Sequence, residues 1–449
     1  MEELVHSAWS MIPFAIMLLM IAVAPLVAEK WWESNINKLI VSLVLGIPVA
    51  VCLIMGGMGH NFEHQMLFDY VPFIILLLSL FVVTGGINLS GDIKATPGVN
   101  TLFLGLGFIL ASLMGTTGAA MLLIRPVLTT NQQREHKLHT VLFFIALVAN
   151  CGGLMTPLGD PPLFMLFLRG VSFTWFMGMW AQWLFTGALL LFIYYIVDKH
   201  EYKKEDQEAL ARDAAEVTPI KVKGNINFIY LIGIVLSVAL INVGFIPEMG
   251  NADAPVYIKY LREIALLIIT ALSYFTTKKE IRFEANKFTW APIIEVAVLF
   301  LGIFATMTPA LAYLSAHAGE LGLDSPSKFY YVTGLLSSFL DNTPTAVAFY
   351  EVGSGLPTET LTAMDTNMLN MVNGAFPQVL LQAISIGAVF FGAMTYIGNG
   401  PNFMVKSIAE ESGIKMPSFF AYMYKFSLVV LLPIYILVQL IFIWLPTIL

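Results

Sequence analysis

Charged side chains are scarce in this sequence. Asp, Glu, Lys and Arg make up 12% of its 449 residues, against about 25% in a soluble globular protein. What charge there is leans acidic, with 23 bases, 30 acids and a net charge of −7. That balance leaves no basic surface for a nucleic acid. Cysteine is nearly absent. Cys52 and Cys151 both lie in apolar runs, which argues against a disulfide framework. A Walker A loop, a His-Glu-x-x-His pair and a Gly-x-Ser-x-Gly turn are also missing. Their absence removes the motif support for ATP drive, a zinc hydrolase or a serine hydrolase. Neither an enzyme nor a resident cofactor is expected.

Long apolar runs are abundant instead. The hydrophobic fraction is 58% and the mean hydropathy +0.79. A backbone in lipid must satisfy its own hydrogen bonds, so these runs predict helices. The short alternating segments of a β-barrel are lacking. Full spans are predicted near 9–28, 36–57, 70–89, 138–170 and 174–197, and again near 226–246, 258–276, 288–312, 372–412 and 418–446. Segments 98–130 and 328–356 are apolar but interrupted by polar, Gly and Pro residues, and read as re-entrant hairpins. Residues 198–225 hold seven acids and six bases and read as a solvated cytoplasmic linker. The first ten residues contain Glu2 and Glu3 but no Lys or Arg, so the first run reads as a span and not a signal peptide. With the N-terminus outside, predicted inner loops carry seventeen Lys and Arg, and the outer side four: Arg169, Lys259, Arg262 and Lys328. That bias satisfies the positive-inside rule. Trp31, Trp32 and Trp290 fall where interfacial anchors belong, and the seven histidines (His6, His60, His64, His136, His139, His200, His317) fall in termini or loops.

The two halves resemble each other at their least typical points. Ala111–Ala120 aligns with Ser337–Ala346 at an offset of 226, and Gly153–Met165 with Gly392–Met404 at an offset of 239. The second pair shares the frame G-x-M-T-x-x-G-[D/N]-x-P-x-F-M. Five spans per half is an odd number, so the second half is expected to insert upside down. The expected fold is an all-α polytopic membrane protein of two inverted repeats, 1–197 and 226–449. Each repeat has five transmembrane helices, a re-entrant hairpin and one broken helix. Inverted repeats with interrupted helices are typical of secondary transporters.

The interruptions free backbone carbonyls inside the bilayer, which is tolerated only where they line a cavity or are buried in protein. Carbonyl, Thr, Asn and Asp oxygens together suit a hard cation. The candidate ion-binding residues are Thr116, Thr117, Thr156, Asp160, Asp341, Asn342, Thr343, Thr395, Asn399 and Asn402. A charge at mid-membrane costs roughly 2.5–3.5 kcal/mol on the insertion scale, so Asp160 and Asp341 stand out as functional. Glu295 occupies the place of Ile75 in the counterpart run and is a third candidate proton carrier. Arg125 and Glu351 share equivalent positions, where structural pairing or snorkelling of Arg125 is expected. Lys406 is either a resident cation or a short reach to the inner surface.

At these motifs the chain resembles the ion transporter superfamily, which includes NhaD-type sodium/proton antiporters, arsenite efflux pumps and citrate and dicarboxylate carriers. Leu340-Asp341-Asn342-Thr343-Pro344-Thr345 is similar to the Asp-Asn motif of the antiporter and arsenite branches. Ile397-Gly398-Asn399-Gly400-Pro401-Asn402-Phe403 resembles the Gly-Asn-x-Pro-Asn signature, and Gly159-Asp160 the antiporter form of its first-half partner. A group of citrate-transporter-like proteins is similar over nearly the whole chain. The resemblance implies hairpin tips at 115–118 and 341–344, unwound joints at 156–162 and 395–402, and a homodimer in a bacterial inner membrane. Gly115-Thr116-Thr117-Gly118 departs from the superfamily pattern, which carries Asn or Ser-Asn-Thr there.

Two functions follow. In sodium/proton antiport, Asp341 and Asp160 hold Na⁺ or H⁺ by turns. In coupled uptake of citrate or another carboxylate, the Asp residues hold Na⁺ and the hairpin amides hold the anion. The second meets a charge problem: like unit charges 4 Å apart repel by about 4 kcal/mol at an effective dielectric of 20.

Overall fold

The computed structural model describes residues 7–251, 253–372 and 374–448. Glu2, Glu3 and His6 lie outside the described residues. The first half is built from α1 (Ile12–Val27), α2 (Asn35–Met55), α3 (Gly59–Thr84), α4 (Pro97–Met114), α5 (Thr116–Thr130), α6 (Leu138–Leu147), α7 (Pro161–Leu168) and α8 (Phe173–Tyr202). The second half repeats that order: α9 (Ile226–Leu240), α10 (Leu261–Thr276), α11 (Ala291–Ala316), α12 (Pro326–Ser337), α13 (Asn342–Ser354), α14 (Gln378–Phe391), α15 (Gly400–Glu411) and α16 (Phe419–Thr447). Among the described residues, eight helices are long and apolar enough to cross a bilayer. The protein is an all-α polytopic membrane protein.

Proline opens several of these helices. Pro97, Pro161 and Pro326 occupy the first turn, where a missing N–H breaks no intrahelical bond. The helix pair α4–α5 is a hairpin: its arms pack together, and Asn100 near the start of one exchanges amide hydrogen bonds of 2.8 and 2.9 Å with Asn131 just past the end of the other. Its tip turns at Gly115, whose φ of +79° suits glycine. The arms α12 and α13 pack in the same way, with Phe329 and Phe349 rings 6.2 Å apart near their far ends.

The halves complete each other. Helix α2 packs on α11 while α10 packs on α3, and α5 packs on α15 while α7 packs on α13. One apolar core runs through both halves.

Several boundaries differ from the sequence reading. The span near 70–89 begins at Gly59, through a π-turn at Gln65–Tyr70. The span near 226–246 stops at Leu240, where the Asn242 side chain turns back on the Ala239 carbonyl at 2.8 Å. The broken helix assigned to 372–412 starts only at Gln378. The residues before it pair as two short antiparallel strands, Met368–Met371 and Gly374–Pro377, and Gly374 has a φ of +111°. Residues 198–225 are no bare linker. Residues 198–202 finish α8, Gln207–Ala215 is helical, and Thr218–Lys223 pairs antiparallel with Asn88–Asp92. Arg134, buried, meets Asp198 at 2.6 Å and Glu205 at 3.2 Å. His139, expected in a loop, lies in the first turn of α6 and contacts Asp198 at 2.7 Å. These partners are 59 to 71 residues apart in sequence, so local pattern did not reveal them.

Candidate functional site

Four helices begin at one place. Asp160 precedes α7 and Asn399 precedes α15, in nearly the same extended backbone: φ −141°, ψ 140° and φ −148°, ψ 141°. Gly115 precedes α5, and Asp341 precedes α13. Asp160 is fully buried there and accepts three hydrogen bonds. Its Oδ1 receives the Thr116 hydroxyl at 3.0 Å and the Asn399 amide at 3.3 Å, and its Oδ2 receives the Asn342 amide at 2.8 Å. Thr116 and Asn342 are equivalent at the offset of 226, and Asp160 and Asn399 at 239. The cluster therefore joins each of two repeated positions to its own counterpart. Every donor is neutral, and no ion pair joins Asp160 to a base among the described residues. A buried carboxylate so placed calls for a proton or a small cation.

Behind the cluster, the hydroxyls of Thr156 and Thr395 act as clamps. Each donates to the hairpin carbonyl of its own half, Thr156 to Ser112 and Thr395 to Ser338, the latter at 2.5 Å. Both also receive a backbone N–H, from Leu158 and from Ile397 at 3.2 Å each. These two threonines hold the breaks shut and do not reach Asp160. Asn402 does the same, donating to Gly392 O at 2.8 Å and Thr395 O at 2.9 Å. The glycines of the shared frame let backbone meet backbone: a Cβ on Gly159 would sit 2.0 Å from Gly153 O, and one on Gly398 2.6 Å from Gly392 O.

The remaining candidates are placed differently. Asp341 is partly exposed and caps its own helix, accepting the Thr343 N–H at 2.9 Å; it is the neighbouring Asn342 that touches Asp160. The Thr343 hydroxyl is buried beside the Asp341 carboxylate. Thr117 is half-buried, and its hydroxyl makes no hydrogen bond to Asp160. Glu295 is not brought to the cluster: it sits in the second turn of α11, 43% exposed, and pairs with Lys38 at 2.5 Å. Lys38 itself is buried, so Glu295→Gln leaves its ammonium without a counter-charge and is expected to cost more folding stability than the about 1 kcal/mol of an exposed pair. Unchanged thermal stability in detergent would show that Lys38 does not depend on Glu295 for its charge. Lys406 reaches Glu410 one turn along α15 at 2.7 Å, not the cluster.

The sequence reading missed Asn150, which is fully buried and hydrogen-bonded to both Asn399 and Asn402. The signal was available: an amide directly after the apolar run Ile145-Ala146-Leu147-Val148-Ala149, before Cys151.

Two cavities lie beside the hairpins, at opposite ends of α3. One, of about 610 Å³, is lined by His60, His64, Asp69, Arg169 and Glu351 among others. Arg169 there bridges Asp69 at 2.6 Å and Glu351 at 3.4 Å. Glu351 is thus paired with Arg169 and not with Arg125, which lines the other cavity, of about 250 Å³, with Asn88, Ser90 and Asn286. Asp160 lines neither.

One curated relative, the "Inner membrane protein YbiR" of Escherichia coli (strain K12), is 29% identical over 164 residues. The match covers 31% of this chain and 42% of that protein, so it spans less than half of the relative's length. The sequence pattern of the family described as "Putative citrate transport" matches residues 3–443, which take in both hairpins, both breaks and Asp160. By that match, the chain is an integral membrane protein belonging to this transport family.

Proposed function

We propose that the chain is a secondary sodium/proton antiporter whose shared carboxylate is Asp160. The observation that carries this reading is its setting: a fully buried acid among neutral donors, at the junction of four helix starts. Na⁺ and H⁺ compete for such a group, because each satisfies the charge that the other would otherwise neutralise. Competition plus alternating exposure is sufficient for exchange. The Thr343 hydroxyl, buried beside the Asp341 carboxylate, and the backbone carbonyl of Asn399 are the added ligands of the Na⁺-bound form. Asp341, one residue from Asn342, supplies negative potential at the mouth of the site.

The family's description favours a second reading, coupled carriage of citrate. Four helix N-termini would suit its carboxylates. Prolines weaken that case. Pro161 and Pro162, Pro344 and Pro401 stand in the first turns of three of the four helices. They delete the N–H groups that would bind an anion. Two halves of opposite orientation, a homodimer and a bacterial inner membrane with residues 198–225 cytoplasmic complete the proposal.

The test uses purified protein in lipid vesicles with a trapped pH dye and an imposed proton gradient. NaCl, and not choline chloride, should collapse the gradient without any carboxylate present. Labelled citrate accumulating only with Na⁺, with no sodium-driven proton flux, would replace antiport with the second reading.

A further inference from the structure

Asn150 has no counterpart in the other half. At the offset of 239 its place is taken by Val389. The two broken helices differ at that point. Helix α14 continues through Val389 to Phe391, whereas α6 ends at Leu147 and the chain unwinds through Asn150, at φ −142° and ψ −83°. The Asn150 amide is used on both sides. Its Nδ2 donates to Ile145 O at 2.9 Å and to Asn402 Oδ1 at 2.7 Å. Its Oδ1 accepts from Asn399 Nδ2 at 3.2 Å. That same Nδ2 also faces Ala149 O at 3.1 Å and Asp160 Oδ1 at 3.3 Å. Gly392 leaves the room, since a Cβ there would lie 2.8 Å from Asn150 Oδ1.

An Asn side chain presents an N–H₂ on one edge and an oxygen on the other. Three acceptors, Ala149 O, Asn150 Oδ1 and Asp160 Oδ1, converge on one edge of Asn399 and select its N–H₂ for that edge. Only two of them belong to the scaffolding of α6, and Asn150 Oδ1 is the side-chain one. We infer that Asn150 is a positioning residue: it breaks the likeness of the two halves and aims the Asn399 amide at Asp160, setting the affinity for the bound ion. The inference rests on the reading of Asp160 as the ion-holding carboxylate. A residue that merely braced the break would affect stability or turnover, and not ion affinity.

The half-saturating Na⁺ concentration in vesicles separates these roles. Asn150→Ala is expected to shift it about tenfold, near the effect of one hydrogen bond to a charged group, with the maximal rate within about twofold. Asn399→Ala should shift it as much, and the double variant no further, because both act through one contact. Asn150→Ser is too short to reach Asn399 and adds no charge beside Asp160, so it should shift the half-saturating concentration in the same direction; it also serves if the alanine variant does not fold. Additive shifts, or a fall in maximal rate at unchanged half-saturation, would overturn the inference. An experimental structure of the Asn150→Ala protein reads the positioning without any cargo. The Asn399 amide should have left Asp160, and persistence of that contact refutes the aiming role. Should unmodified vesicles show no sodium-driven proton flux, antiport falls, and this structural readout still decides the role of Asn150.

Discussion

Asp160→Asn abolishes sodium-driven proton movement while the protein still folds and inserts. The substitution keeps the shape of the side chain and removes the two properties that exchange needs, a charge for the cation and a site for the proton. The expected loss is above roughly 100-fold, since removing one partner of a buried charge pair costs about 3 kcal/mol or more. Folding should survive because the new amide conflicts with few neighbours. Its N–H₂ can face Thr116, whose hydroxyl rotates to accept, but Asn399 then presents a donor to a donor. Asn342 cannot turn over to help, because its Oδ1 already accepts from Ser337 at 2.7 Å. One orphaned donor costs about 1–3 kcal/mol, less than the usual 5–15 kcal/mol of folding stability. Exchange in vesicles and monodispersity in size-exclusion chromatography together check the claim. A folded Asp160→Asn protein that exchanges at the ordinary rate would remove this carboxylate from the mechanism.

The parts of this site that could be read in advance are those carried by local chemistry. Proline, glycine and an acid inside apolar runs mark breaks, because each is costly in a continuous helix in lipid. Asp160, Asn399, Asn342 and Thr116 were marked in that way, and they meet. What local chemistry cannot reveal is which oxygen an amide or hydroxyl will face. Thr156 and Thr395 resemble ligands in sequence, yet each is spent on a hairpin carbonyl 44 or 57 residues away. Asp341 looks equal to Asp160, but it is the residue before a helix start and its carboxylate turns to the nearest free N–H. Glu295 looks isolated within its run until Lys38, 257 residues distant, supplies its partner. Asn150 aligns with Val389 in the repeat, so no matched position marks it in the sequence. The strands near 88, 218, 368 and 374 are set by pairing between segments, against a background of helix-rich composition.

The largest structural effect belongs to Gly159. Residues Gly153 and Gly159 cross backbone to backbone where the first helix is interrupted, and Gly392 and Gly398 repeat the crossing in the second half. A methyl group on Gly159 would lie 2.0 Å from Gly153 O and 2.7 Å from its carbonyl carbon, so the main chain itself must move. That crossing also carries the Thr116 N–H to Gly159 O bond of 2.8 Å, which holds the first hairpin tip against the break. Gly159→Ala is therefore expected to exceed the usual overpacking cost of about 1–3 kcal/mol and to leave little folded protein in detergent. Gly398→Ala meets Gly392 O at 2.6 Å and Ser337 O at 2.9 Å, so it should be damaging to a smaller degree. Gly400→Ala meets nothing within 4 Å and starts a helix, where alanine is favoured over glycine by up to about 1 kcal/mol. Melting temperatures of the three variants should fall in the order Gly400→Ala, Gly398→Ala, Gly159→Ala. A Gly159→Ala protein that melts with the unmodified chain would mean that the two arms of the break do not touch, and the geometry that buries Asp160 would go with them.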